Sequence, residues 1–179
     1  MKSGEKNSEL EKMAQRRLVI EAPAPVVDCG RFAAKAVAGS PIKVSADIFV
    51  DGHEVISASV ALADRASVPM RRVDNDRWVA DVTFETIGPS HFTISAWRDL
   101  WGTWRRDVKK KLDAGQTVSV ELQELVQMLS SMKALRGDGA GLKAVKKAAK
   151  EADLATLLNP GTDELMARIG PRANETTTD

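Results

Sequence analysis

The chain has 179 residues, 43% of them apolar and 28% charged, with 26 basic and 25 acidic side chains for a formal charge of +1. That length suits one medium domain, or one domain with a smaller appendage, and falls short of the roughly 200 residues or more of a (β/α)8 barrel. The charge balance excludes a basic nucleic-acid stripe, the single Cys29 excludes an intramolecular disulfide framework and a Cys-based zinc site, and no stretch of 18 apolar residues exists to span a membrane.

Residues 1–16 mix both charge signs and lack an apolar signal core, so a disordered start of a cytoplasmic chain is expected, with no membrane or nucleic-acid partner. Arg17 to Glu21 reads as a short first strand, ended by the Ala22 to Pro25 stretch because proline removes donors. Val26 to Ser40 is loop-like, with an apolar stretch between Gly30 and Gly39. From Ile42 the period is two: Ile42, Val44, Ala46, Ile48 and Val50 share one face. Asp51-Gly52 signals a tight turn into a second alternating run, Ile56, Ala58, Val60 and Leu62. A short strand is predicted around Val68 to Val73, then Trp78, Ala80, Val82 and Phe84 alternate, and Phe92, Ile94 and Ala96 make the last strand. Some six short strands at regular spacing predict an immunoglobulin-like antiparallel β-sandwich over residues 17–100, with Ile48, Val60, Trp78, Val82 and Ile94 inside.

After Asp99 the period becomes 3.6. Trp101, Trp104, Arg105, Val108 and Leu112 share a helical side, with Gly115 as a stop. Thr117 is placed to cap a second helix with an apolar stripe of Leu122, Leu125, Val126, Leu129 and Met132. Arg136 to Gly141 reads as a flexible connector, Leu142, Val145, Ala149 and Ala152 mark a third helix, and Thr162 to Ile169 a fourth. Residues 101–170 therefore form a helical appendage, a partial bundle, and the polar residues 171–179 a disordered tail.

Chemistry-bearing patterns are sparse. His53 and His91 lie at turn or strand-start positions without HExxH spacing, and Asp47, Asp81 and Asp107 read as surface charges. No catalytic, metal or cofactor residue is expected, and no cofactor. The most unusual stretch is Ala96 to Leu112, with three tryptophans and six basic residues. Trp97, Trp101, Trp104 and Arg105 are the candidate interface or glucan-contact residues. They either stack on sugar or pack a helix, leaving Lys109 to Lys111 as its wet face. A solvent-facing indole would decide for sugar.

Several stretches go further: Gly30-Arg31-Phe32-Ala33-Ala34-Lys35, Ala46-Asp47-Ile48-Phe49-Val50-Asp51-Gly52-His53, Asp76-Arg77-Trp78, and Thr103-Trp104-Arg105-Arg106-Asp107 with Lys109-Lys110 and Ala114-Gly115-Gln116. In this order the series resembles the N-terminal region of the bacterial maltosyltransferases that take maltose-1-phosphate as donor and extend α-1,4-glucans. The resemblance runs from about Arg17 to Leu129 and more weakly to Arg172. It implies a β-sandwich and a helical bundle that build a homodimer contact and precede an amylase-like barrel carrying an aspartate nucleophile and a glutamate acid/base. The chain is expected to stop where that barrel begins. It is then a non-catalytic dimerisation and support module, partnered by a second copy or by the missing barrel. The alternative is an α-glucan-binding module.

Overall fold

The computed structural model describes residues 18–63 and 65–178. The expected disordered segment 1–16 lies outside the described residues. Two compact units emerge: one from the described residues up to Arg98 together with Ala173 onward, the other Asp99–Arg172.

The first unit is a β-sandwich of two antiparallel four-stranded sheets. Its strands are β1 (Leu18–Ala24), β2 (Pro41–Val50), β3 (Ile56–Leu62), β4 (Arg65–Pro69), β5 (Arg71–Arg72), β6 (Arg77–Thr83), β7 (Phe92–Asp99) and β8 (Arg172–Thr177). One sheet runs β1-β2-β6-β5 and the other β4-β3-β7-β8. The period-two pattern creates the layer between them, because alternate side chains leave a strand on opposite faces. In the first sheet Ile42 lies opposite Val82, Val44 opposite Ala80 and Ala46 opposite Trp78. In the second, Ala58 faces Ala96, Val60 faces Ile94 and Leu62 faces Phe92. Ile48, Val60, Trp78, Val82 and Ile94 are all buried in one apolar cluster, as their alternation requires. A polar tie closes one end of the β2–β6 pair. Arg77 Nε and Nη2 donate to the two carboxylate oxygens of Asp47 at 2.9 and 3.1 Å, a forked and charge-assisted contact.

Four local readings change. β1 does not stop at Ala22: it bulges between Glu21 and Ala24, with Ala22 at φ 45°, and regains β2 at Ala24. An edge strand tolerates this, since Pro23 withholds an N–H that no second neighbour needs. Asp51-Gly52 makes no hairpin, because β2 and β3 lie in different sheets. It turns the chain from one sheet to the other, and Gly52 takes φ 133°, which a side chain would resist. The strand predicted at Val68 to Val73 is two strands in two sheets, β4 on β3 and β5 on β6. Pro69 lacks a ladder donor, Met70 N donates to Ala58 O at 2.8 Å, and the chain changes sheet there.

The fourth change is the largest. Residues 172–177 of the expected disordered tail form β8, which closes the free edge of β7. Thr178 N donates to Ile94 O, and Ile94 N to Thr178 Oγ1, both at 2.9 Å; Thr176 Oγ1 donates to Leu18 O at 3.4 Å. An open strand edge is a row of unmet donors and acceptors, and a polar chain with β-branched threonines satisfies it without an apolar pattern. The helical unit is thus an insertion between two strands of one sheet.

That second unit contains α1 (Leu100–Asp113), α2 (Ser119–Ser130), α3 (Gly139–Glu151), α4 (Leu154–Leu157) and α5 (Pro160–Ile169). Asp99 caps α1 by accepting from Gly102 N at 2.8 Å, and Asn159 caps α5 by accepting from Gly161 N at 2.8 Å with Pro160 in the first turn. Thr117 is not the cap of α2; Val118 occupies that position and is itself buried. The connector is shorter than expected, because Gly139 to Gly141 already belong to α3. At Gly141 a β-carbon would sit 2.9 Å from Leu165 Cδ2, so glycine permits the close approach of α3 and α5. The α2 stripe is covered within this unit: Leu125 and Leu129 are 1% exposed, and Leu122, Val126 and Met132 pack beside them.

Val82→Asp places a charge in the dry layer between the sheets and is expected to cost about 3 kcal/mol or more. Asp81→Val, on the exposed face of the same strand, should leave stability nearly unchanged. Paired denaturant melts check the register. Leu129→Ala should cost about 2–5 kcal/mol through the cavity it leaves in the helical core, read in the same experiment.

Candidate functional site

The candidate residues gather on α1, and their spacing explains how. Trp101, Trp104, Arg105 and Val108 recur at intervals of three and four and so share one helical side. Trp101 and Trp104 stack with ring centroids 5.1 Å apart and planes inclined by 29°. Neither ring faces solvent, with 4% and 8% exposure. Each indole N–H is satisfied by another helix: Trp104 Nε1 donates to Glu121 O of α2 at 2.8 Å, and Trp101 Nε1 to Asp163 Oδ1 of α5 at 3.0 Å. A buried tryptophan needs such a partner for its one donor.

Arg105 completes the arrangement. One of its terminal nitrogens, Nη2, meets Asp163 Oδ2 at 2.6 Å and Leu158 O at 3.0 Å. Asp163 therefore accepts from an indole and a guanidinium of the same helix, on its two separate oxygens. Lys111 on the following turn pairs with Glu121 on α2. That hydrogen bond holds the Glu121 carboxyl below its ordinary range, against a smaller opposing effect of burial. An open cleft of about 340 Å³ lies beside these pairs, bordered by Asp99, Trp101, Gly102, Arg105, Arg106, Lys109, Asp163 and Ala167, with Trp101 giving it only an edge since that ring is 4% exposed. Its cationic side is partly neutralised, since Arg105 is engaged by Asp163 and Arg106 by Asp107 at 2.9 Å.

Trp97 belongs to the other unit. It stands on β7 opposite Ser57 and is half-buried. A sugar platform requires an indole face open to water, and Trp101 and Trp104 offer none; they are the core of the helical unit. His53 and His91 are exposed and 38 positions apart in the chain, and among the described residues no group of three His, Cys, Asp or Glu side chains is gathered to hold a metal ion. Cys29 is exposed and unpaired to any cysteine. No described helix is long and apolar enough to cross a membrane.

Sequence reasoning missed Asp163 and Glu121, the acceptors that make the aromatic pair possible. Both lie in the first turn of a helix, where an acidic residue is favoured by the exposed N–H groups and attracts no notice. The loop predicted over Val26 to Ser40 is a loop, broken only by a short 3-10 turn at Asp28–Gly30, and residues 26–41 are all exposed although valine, alanine and phenylalanine supply eight of the sixteen.

Comparison with known sequences agrees with the motif series. The sequence model described as α-1,4-glucan:maltose-1-phosphate maltosyltransferase, domain N/S, matches residues 16–179. The chain belongs to this family. A maltosyltransferase of that description from Cereibacter sphaeroides strain ATCC 17023 is 39% identical over 184 residues, covering 93% of this chain and 27% of the relative. One from Chlorobaculum tepidum is 40% identical over 114 residues, 61% of this chain and 17% of the relative. One from Myxococcus xanthus is 36% identical over 161 residues, 85% of this chain and 23% of the relative. The chain thus spans about a quarter or less of the length of these curated relatives, and it is an N-terminal domain of this type of maltosyltransferase. In this maltosyltransferase domain the tryptophan and arginine motif of α1 ties helices together.

Asp163→Ala removes the acceptor of Trp101 and the partner of Arg105. It should cost about 1–3 kcal/mol and shift the tryptophan emission, read by fluorescence-monitored urea melts. Glu121 gives a pH test. Its folded carboxyl titrates below the ordinary value of 4.5, so its stabilisation is fully present above that value and is lost as pH falls through the folded value. Glu121→Gln is therefore expected to be less stable than the parent at pH 7, with the gap narrowing below pH 4.5, in thermal melts across that range.

Proposed function

We propose that this chain is a non-catalytic dimerisation and support module for maltosyl transfer from maltose-1-phosphate to α-1,4-glucan, the chemistry being carried by a catalytic barrel outside it. The observation that carries this reading is the family match over residues 16–179, joined to coverage of only 27% of the Cereibacter sphaeroides relative. Three charged pairs among the described residues serve structure. Arg77–Asp47, Arg105–Asp163 and Lys111–Glu121 each tie one element to another, and each acid is matched by a cation. A retaining glycosyl transfer instead needs two carboxyl groups about 5–5.5 Å apart across a substrate cleft. Self-association is assigned to the helical unit, where Val120 and Leu135 stand 59% and 58% exposed although its core is closed.

The purified chain is expected to release no phosphate from maltose-1-phosphate in the presence of a malto-oligosaccharide, and turnover above a buffer control would overturn the reading. Sedimentation at several concentrations is expected to show dimers that weaken in Val120→Asp. A monodisperse monomer at every concentration would remove the dimer role.

A further inference from the structure

The sandwich carries an apolar surface that its own core does not use. Between β1 and β2, residues 26–40 are exposed without interruption, and Val26, Phe32 and Val37 are 48%, 57% and 70% open. The segment is nevertheless ordered by backbone contacts. Val27 bridges Phe32, Gly30 N donates to Val27 O at 3.1 Å, and Gly39 N donates to Phe84 O at 2.9 Å. Beside it, the turn between β6 and β7 presents Ile87 at 96% exposure. Together they wall a cleft of about 570 Å³, lined by Phe32, Ala36, Ile42, Phe84, Ile87 and Phe92 among others. Ile42, Phe84 and Phe92 are the partly buried rim of the sandwich core, so the cleft is an opening through which the core reaches the surface. Apart from the Arg31 guanidinium, which lies 5.6 Å from the centre of the Phe32 ring, the exposed valine and phenylalanine side chains of this ordered loop face an apolar cleft, and such a surface marks a contact site.

Two observations on the page select the occupant. First, β8 ends at this same end of the sandwich. β8 pairs with β7, Thr178 N bonds Ile94 O, and Phe92, two residues before Ile94, lines the cleft. Polypeptide that follows the N-terminal domain in a full-length relative therefore emerges beside the opening, and in the Cereibacter sphaeroides relative the matched region is only 27% of the whole. Second, the cleft lining carries Lys35 and His91 and no carboxylate. We infer that this cleft docks the portion of a maltosyltransferase that follows the N/S region, through an apolar segment bearing an acidic side chain that meets Lys35. The inference rests on the proposed role as a support module and gives that role a surface separate from the helical face assigned to self-association.

Hydrogen exchange tests it. The chain is compared alone and as a chimera in which it replaces the matching segment of the Cereibacter sphaeroides relative. Amides of residues 30–38 and 86–91 are expected to exchange at least tenfold more slowly in the chimera, with little change in α3. Phe32→Asp and Ile87→Asp should abolish the slowing, and Lys35→Glu should reduce it, while each isolated variant keeps the parent melting temperature because all three positions are open to water. Equal exchange in both contexts overturns the proposal. Slowing in the isolated chain that grows with concentration also overturns it, by assigning the cleft to a second copy. A chimera with a protected cleft but no maltosyl transfer sinks the proposed function and leaves the docking; an active chimera with an unprotected cleft does the reverse. Should the chimera not fold, the Cereibacter sphaeroides relative is compared whole against its own matching segment, where equal exchange over the corresponding stretches again overturns the docking.

Discussion

The backbone edge of β7 is the constraint on which this architecture turns. One edge pairs with β3 and the other would be open had the chain ended with the helices. Sheet edges are satisfied by whatever strand can reach them, and here it is the polar segment Arg172–Thr177. That single pairing makes the helical unit an insertion that leaves the sheet at Asp99 and rejoins it at Arg172. Arg98 Nη1 donates to Asn174 Oδ1 at 3.3 Å, adding a side-chain tie to the ladder.

Within the helical unit, aromatic area and polar satisfaction are solved together. Two stacked indoles supply much of the buried surface of α1, but each brings a donor that must be met out of water. The Glu121 carbonyl and the Asp163 carboxylate meet them, and the same carboxylate neutralises Arg105. The charge density of α1 is therefore partly inward-directed. A stretch that reads as a recognition surface becomes the joint between helices, because the acceptors come from residues 17 and 62 positions away in the chain.

The two units differ in how completely they are closed. The helical core covers the apolar stripe of α2, with Leu125 and Leu129 almost wholly buried. The sandwich covers its centre but not the end walled by residues 26–41 and Ile87.

Periodicity alone determined most of the sandwich and all of the longer helices. Alternation at Ile42 to Val50, Ile56 to Leu62 and Trp78 to Val82 dictates which face is dry, since a one-residue slip would expose every apolar group at once. Family membership was also legible, because the motif series keeps its order along the chain. Tertiary structure decided what has no local signature. It split Val68 to Val73 between two sheets, turned Asp51-Gly52 from a hairpin into a crossing, and recruited Arg172–Thr177 as a strand. It also chose Asp163 and Glu121 as partners of the tryptophans. Strand pairing and buried acceptors are satisfied by backbone and carboxylate groups that almost any polar segment carries, so the choice rests on which segment the folded chain brings within about 3 Å, a matter of position that no local pattern records.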